Sequence, residues 1–111
     1  MGRRKMALTR EFKETIGARI ERDSRFREAL FTEAMTAYLG GDIKAGKAIL
    51  RDLVNATMGF EELAKVLKKP SKSLHRMLAP HGNPNTENFF GIVKALQKKA
   101  GVKLQVKAKA V

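Results

Sequence analysis

The sequence predicts an all-α chain that closes with one short β-strand. Three observations predict this. Apolar residues recur at three- and four-residue spacings from Phe12 to Leu96. Gly40-Gly41, Lys68-Lys69-Pro70 and Gly82-Asn83-Pro84 interrupt that pattern at intervals. Only after Gly101 does the period change to two. At 111 residues the chain can hold one compact domain, or one small domain with a helical extension, and not two full cores.

Thr9 is a competent cap for a first helix to about Ile20, with Phe12, Ile16 and Ile20 on one stripe. Ser24 caps a second helix to Leu39, whose face carries Phe26, Leu30, Ala34, Met35 and Tyr38. Gly40-Gly41 stops it, and Asp42 caps a third helix to about Ala56. The inward stripe of that helix is Ile43, Gly46, Ile49, Leu50, Leu53 and Val54. The short connection predicts an antiparallel hairpin. Gly46 is either a point of close helix approach or a tolerated weak spot. After Gly59 the helices shorten. Phe60, Leu63, Ala64 and Leu67 form one of about two turns, broken by Pro70. Another runs from about Ser71 to Ala79, with Leu74, Met77 and Leu78 inward. A turn-rich loop, Pro80 to Pro84, precedes a longer helix capped by Asn85 or Thr86 and ending near Ala100. Its inward residues are Phe89, Ile92, Val93 and Leu96. Val102, Leu104 and Val106 then alternate with Lys103, Gln105 and Lys107, as in a strand.

Composition narrows the chemistry. With 43% apolar residues the chain can build a core, and wholesale disorder is not expected. The absence of Cys excludes a disulfide framework, a thiolate nucleophile and a cysteine zinc site. Two His residues cannot make a three-histidine metal centre, so no metal or cofactor is expected. No apolar run approaches the roughly 20 residues of a membrane span. The start, Gly2-Arg3-Arg4-Lys5, is charged like a signal peptide, but Arg10, Glu11 and Lys13 follow where an apolar segment would stand. The expectation is a soluble, cytoplasmic protein with no membrane partner.

The net charge of +12 is unevenly placed. Residues 1–57 carry 12 basic and 8 acidic side chains, whereas residues 58–111 carry 11 and 3. From Lys65 onward Glu87 is the single acid among eleven bases. A basic half on a small domain is the footprint of a polyanion binder, because phosphate contacts release counterions. Its bland alternative is a solvated face that keeps the chain in solution. Membrane-surface binding is disfavoured, since no long amphipathic helix with a bulky apolar face accompanies the charge.

Two short helices joined by a tight turn and held by Leu63, Ala64, Leu74 and Leu78 match a helix-turn-helix. A small residue at Ala64 lets the second helix cross close to the first. Leu74 and Leu78 pin that helix from behind and leave its other face for a major groove. The outward set is Ser71, Lys72, Ser73, His75 and Arg76, with Lys69 in the turn before it. Arg76 can fork onto guanine, and Ser71 and Lys72 can reach phosphates or bases. Asn85 and Thr86, more often loop-closing residues, can offer backbone N–H groups to a phosphate at the next helix start. The competing interpretation is an ordinary hairpin of short helices with a polar outer face.

Residues from about 42 to 106 resemble the HigA-like probable addiction-module antidote proteins of the Xre/Cro-type helix-turn-helix group. The resemblance rests on Leu63-Ala64, on Leu74-His75-Arg76-Met77-Leu78, and on Gly82-Asn83-Pro84-Asn85 leading to Val93-Lys94-Ala95-Leu96. The chain departs from that pattern at the turn, where Lys68, Lys69 and Pro70 stand in the usual Gly, apolar and Ser places, and His75 stands where Tyr is common. The first forty residues match less well. The resemblance implies a five-helix DNA-binding domain over residues 42–101, an N-terminal helical extension over 1–41, and a C-terminal strand and basic tail over 102–111. It also implies a prokaryotic transcription regulator: the antitoxin of a type II toxin-antitoxin module, a homodimer on double-stranded operator DNA, beside a small RNase-like toxin.

Catalysis is not expected. His75 and His81 have no carboxylate or Ser poised beside them, and the adjacent Glu61 and Glu62 point in different directions on a helix. They suit the first turn, where the helix dipole favours acids. Of Phe89 and Phe90, one belongs to the core and the other to a subunit interface or the helix hairpin. The rival to DNA binding is a protein-interaction module that masks a toxin. RNA binding is weaker, because exposed aromatics are scarce.

Overall fold

The computed structural model describes residues 10–111. The expected cap at Thr9 and the basic run Gly2-Arg3-Arg4-Lys5 lie outside the described residues. Among the described residues there are six helices and no strand: α1 Arg10–Arg22, α2 Ser24–Leu39, α3 Ile43–Thr57, α4 Gly59–Leu67, α5 Ser71–Leu78 and α6 Thr86–Ala100.

Three of the helices start where a short polar side chain accepts the backbone N–H three residues on. Asp23 Oδ1 accepts from Phe26 at 3.1 Å, Asp42 Oδ1 from Ala45 at 3.2 Å, and Asn85 Oδ1 from Asn88 at 2.8 Å. Asp23 therefore takes the capping place that the sequence suggested for Ser24. A carboxylate suits the positive end of the helix dipole, and Arg19 stands 3.5 Å from its Oδ2. The Phe26 N–H, and after it Arg19, hold the Asp23 carboxyl below its ordinary pKa.

One buried cluster draws on all six helices. Ile20 of α1, Phe31 and Ala34 of α2, Leu50, Leu53 and Val54 of α3, Leu63 of α4, Leu74 and Leu78 of α5, and Ile92 and Leu96 of α6 are fully enclosed. In α2 the centre of burial is Phe31, which the sequence stripe left out, while Phe26, Leu30, Met35 and Tyr38 are half-buried. That helix packs on both α1 and α3, so its buried arc is wider than one stripe. Phe12 and Ile43, each expected inside, are more than two-fifths exposed at helix ends that outrun the core.

Gly46 is a point of close approach. A Cβ there would stand 2.5 Å from Tyr38 Cδ2 and 3.2 Å from the Ala34 carbonyl oxygen. The Tyr38 ring lies against α3 in the space this leaves, and tilts onto Phe89 of α6 at 4.5 Å. Its hydroxyl is buried without a hydrogen-bond partner. Burial pushes the phenol up to about 12, against a smaller lowering by Arg51.

Tyr38 is the single tyrosine, so phenolate absorbance reports it alone. The folded protein should titrate near pH 12, and the denatured chain near the ordinary value of about 10. Because folding holds the neutral form, this contribution to stability is complete below pH 10 and is lost as pH rises towards about 12. Tyr38→Phe should leave stability unchanged or raise it by up to about 1 kcal/mol, since the hydroxyl makes no bond to lose. A folded-state midpoint at the denatured value would contradict this picture.

The expected C-terminal strand does not form. Val102 and Leu104 do pack on the core, but as part of an irregular segment after α6. The Val102 N–H donates to the Gln97 carbonyl at 3.1 Å, and the Leu104 N–H to Gln97 Oε1 at 2.8 Å. One glutamine thus takes N–H groups that a neighbouring strand would otherwise hold, and among the described residues there is no such strand. Val106, the third member of the alternation, is fully exposed.

Candidate nucleic-acid interface

Helices α4 and α5 form the expected corner. Leu63, Leu74 and Leu78 are fully buried behind it, and Ala64 is half-buried at the crossing. The turn is made by Lys68 in the left-handed conformation, φ 56°, with its N–H on the Ala64 carbonyl. The Lys69 N–H reaches the same oxygen at 3.1 Å. Glycine adopts this backbone freely, but here it is imposed on a residue with a Cβ. Pro70 then enters α5 at φ −62° and brings no capping side chain, but its carbonyl accepts the Ser73 and Leu74 N–H groups at 3.0 and 3.3 Å.

The sequence-predicted site residues divide into three groups. Lys69, Lys72, His75 and Arg76 are exposed on the turn and on α5. Ser71 and Ser73 are half-buried, and Ser71 Oγ donates to Glu61 Oε2 at 3.0 Å, tying the start of α5 to α4. Asn85 and Thr86 are exposed at the start of α6, but the Asn85 side-chain oxygen is already occupied by the Asn88 N–H. His75 is not a free outward ring. It stacks on Phe60 with centroids 3.9 Å apart and planes 22° from parallel, so only its edge and outer face meet solvent.

The charge is where a polyanion would find it. All eleven bases from Lys65 onward are exposed, and five of them, Lys65, Lys68, Lys69, Lys72 and Arg76, lie on α4, the turn and α5. Lys99 shares its charge with Glu62 at 3.0 Å, a half-exposed pair worth at most about 1 kcal/mol.

Other cations serve the fold, and sequence reasoning missed them. Lys47 is 3% exposed, and its Nζ donates to the carbonyls of Pro80 at 3.1 Å and Gly82 at 2.5 Å. Arg51, one turn on, donates to the Leu78 carbonyl. Together they hold the open carbonyl end of α5 and the loop after it. Arg27 does the same elsewhere, bonding the Ile20, Glu21 and Ala100 carbonyls at 2.8, 3.1 and 3.1 Å. The signal was present for Lys47: it follows Gly46 by one residue and precedes Leu50 by three, on the inward side of α3. The loop closes on the same helix end from outside. A Cβ on Gly82 would overlap the carbonyl oxygens of Arg76 and Met77.

Among the described residues no three His, Cys, Asp or Glu side chains gather as a metal site, and no helix is long and apolar enough to cross a membrane. No protein-family model, curated protein or solved structure matches the chain.

Proposed function

We propose that the protein is a sequence-specific DNA-binding transcription regulator that inserts α5 into the major groove. The observation that carries this is the division of α5 into two faces. Leu74 and Leu78 are locked into the core, while Lys72, His75 and Arg76 stand outward, with Lys65, Lys68 and Lys69 exposed beside them. The bases of the turn suit phosphates, and Arg76, a fork of donors on the exposed face, suits a guanine edge. The resemblance to HigA-like antidote proteins extends the proposal to a homodimeric antitoxin that represses its own operon and neutralises a small RNase-like toxin.

A second proposal is a protein-interaction module whose main task is to mask that toxin. It is favoured by Val66, which is 54% exposed beside an open recess of about 430 Å³ between α4 and α6. Met58 and Ala95 also line that recess.

Two measurements separate them. Affinity for duplex DNA should fall by about 10³-fold or more between roughly 50 and 200 mM salt if six or more phosphates are contacted. On a duplex selected from a random pool, Arg76→Ala should lose ~1–3 kcal/mol of preference over random DNA. Lys98→Ala, far along α6, should weaken both alike or neither. Competition titrations decide it. Salt-insensitive binding, or a full specificity ratio in Arg76→Ala, removes α5 as the recognition helix.

A further inference from the structure

One strip of α6 faces outward with an aromatic ring near its middle. Glu87, Phe90, Gly91 and Lys94 follow at spacings of three, one and three, which sets them on one side of the helix. Glu87, Phe90 and Lys94 are exposed, Phe90 by 54%. Its ring is held in place: Phe89 meets it edge-on at 5.1 Å, and Phe89 itself rests 4.5 Å from Tyr38. Beside it Gly91 carries no side chain and is half-buried, and a Cβ there would touch Leu67 Cδ2 at 3.6 Å.

We propose that this strip is the seam of a homodimer, in which α6 packs antiparallel on α6 of a second copy of the chain. The charges argue for a second copy over any other partner. Glu87 is the single acid after Glu62, and Lys94 stands seven residues beyond it. That separation is roughly 10 Å along the axis, so the two cannot pair within one helix. A two-fold axis passing midway between Phe90 and Gly91 sets Glu87 opposite Lys94 of the partner subunit, and does so twice. The same axis brings Phe90 against Phe90 of the partner subunit, with no side chain at Gly91 to hold the helices apart. This is the self-complementarity that an isologous contact requires. The seam deepens the regulator proposal, because a two-fold pair presents two copies of α5. Its test needs no DNA.

Sedimentation equilibrium of the full chain, from micromolar to millimolar concentration, measures the dimer directly. Phe90→Ser should weaken dimerisation roughly 30-fold or more, as removal of a central aromatic anchor does, with unchanged helical circular dichroism. Glu87→Lys and Lys94→Glu should each weaken it about tenfold by setting like charges opposite one another twice. The double variant restores wild-type association, because exchanging both charges keeps every pair opposite in sign. A wild-type chain that stays monomeric, a Phe90→Ser variant that dimerises normally, or a double variant as weak as the single ones would overturn the seam. A dimer that passes all three tests yet does not bind DNA leaves the seam standing and removes the regulator function.

Discussion

Gly82→Ala should destabilise the protein by about 2–4 kcal/mol, although the residue lies in a surface loop and only one methyl group is added. The reason is backbone against backbone. The new Cβ would overlap the carbonyl oxygens of Arg76 and Met77, which belong to the last turn of α5 and cannot swing aside as a side chain can. Either the loop lifts away or α5 shifts. A shift of α5 also moves Arg76, so under the proposed function DNA affinity should fall along with stability. Gly17→Ala provides the internal control. That position is inside α1 with nothing within 4 Å of the added Cβ, so the same chemical change should stabilise by roughly 0.5–1 kcal/mol. Denaturant titrations of the two variants should therefore move in opposite directions. A Gly82→Ala midpoint equal to wild type would show that the loop is not packed on the end of α5.

Lys47→Ala should be comparably damaging, at about 3–4 kcal/mol. It opens a cavity where the four-carbon stem was buried, and it strips the carbonyls of Pro80 and Gly82 of their shared donor. Lys47→Met keeps the stem and removes only the donor, so it should cost about 1–3 kcal/mol, the penalty of leaving such carbonyls without a partner. The difference between the two variants separates packing from hydrogen bonding at one site. If Lys47→Met proves as stable as wild type, the ammonium group contributes nothing net, its desolvation offsetting its two bonds.

Both sites lie at the far end of α5 from the turn, and both were only partly legible in the sequence. The Gly82-Asn83-Pro84 loop is recognisable as a turn from its residue types alone. That Gly82 is needed for a close approach, and not for a special φ, depends on where the end of α5 comes to rest. Lys47 is visible as a base on an inward stripe. That it binds the carbonyls of a loop more than thirty residues away follows only from folding α3 under α5.

The helices themselves were largely written in the chain. Periodicity, the breaks at Gly40-Gly41 and Pro70, and the caps at Asp42 and Asn85 located α2 to α6 within a residue or two, because these signals act over one turn of backbone. The outward places of Lys72 and Arg76 on α5 were legible for the same reason, since Leu74 and Leu78 are four apart and define the opposite face, whereas Ser71 and Ser73, expected outward with them, are half-buried. Local pattern failed where the outcome depended on a neighbour. The alternation at Val102, Leu104 and Val106 specifies two faces but no hydrogen-bond partner, and the partner available was Gln97 of α6. His75 reads as a free polar side chain until Phe60 is brought beneath it.

The sequence by itself determined the helix positions, the cysteine-free composition and the basic excess of the second half, since all three depend on residue type and short-range spacing. Only the tertiary structure decided which cations face solvent and which serve the fold. Lys47, Arg51 and Arg27 carry the same charge as Lys72 and Arg76, but they sit where helix ends leave carbonyls open. Spacing marks Lys47 as inward but does not show what it binds, because the carbonyls come from segments distant in sequence and arrive only when the helices pack.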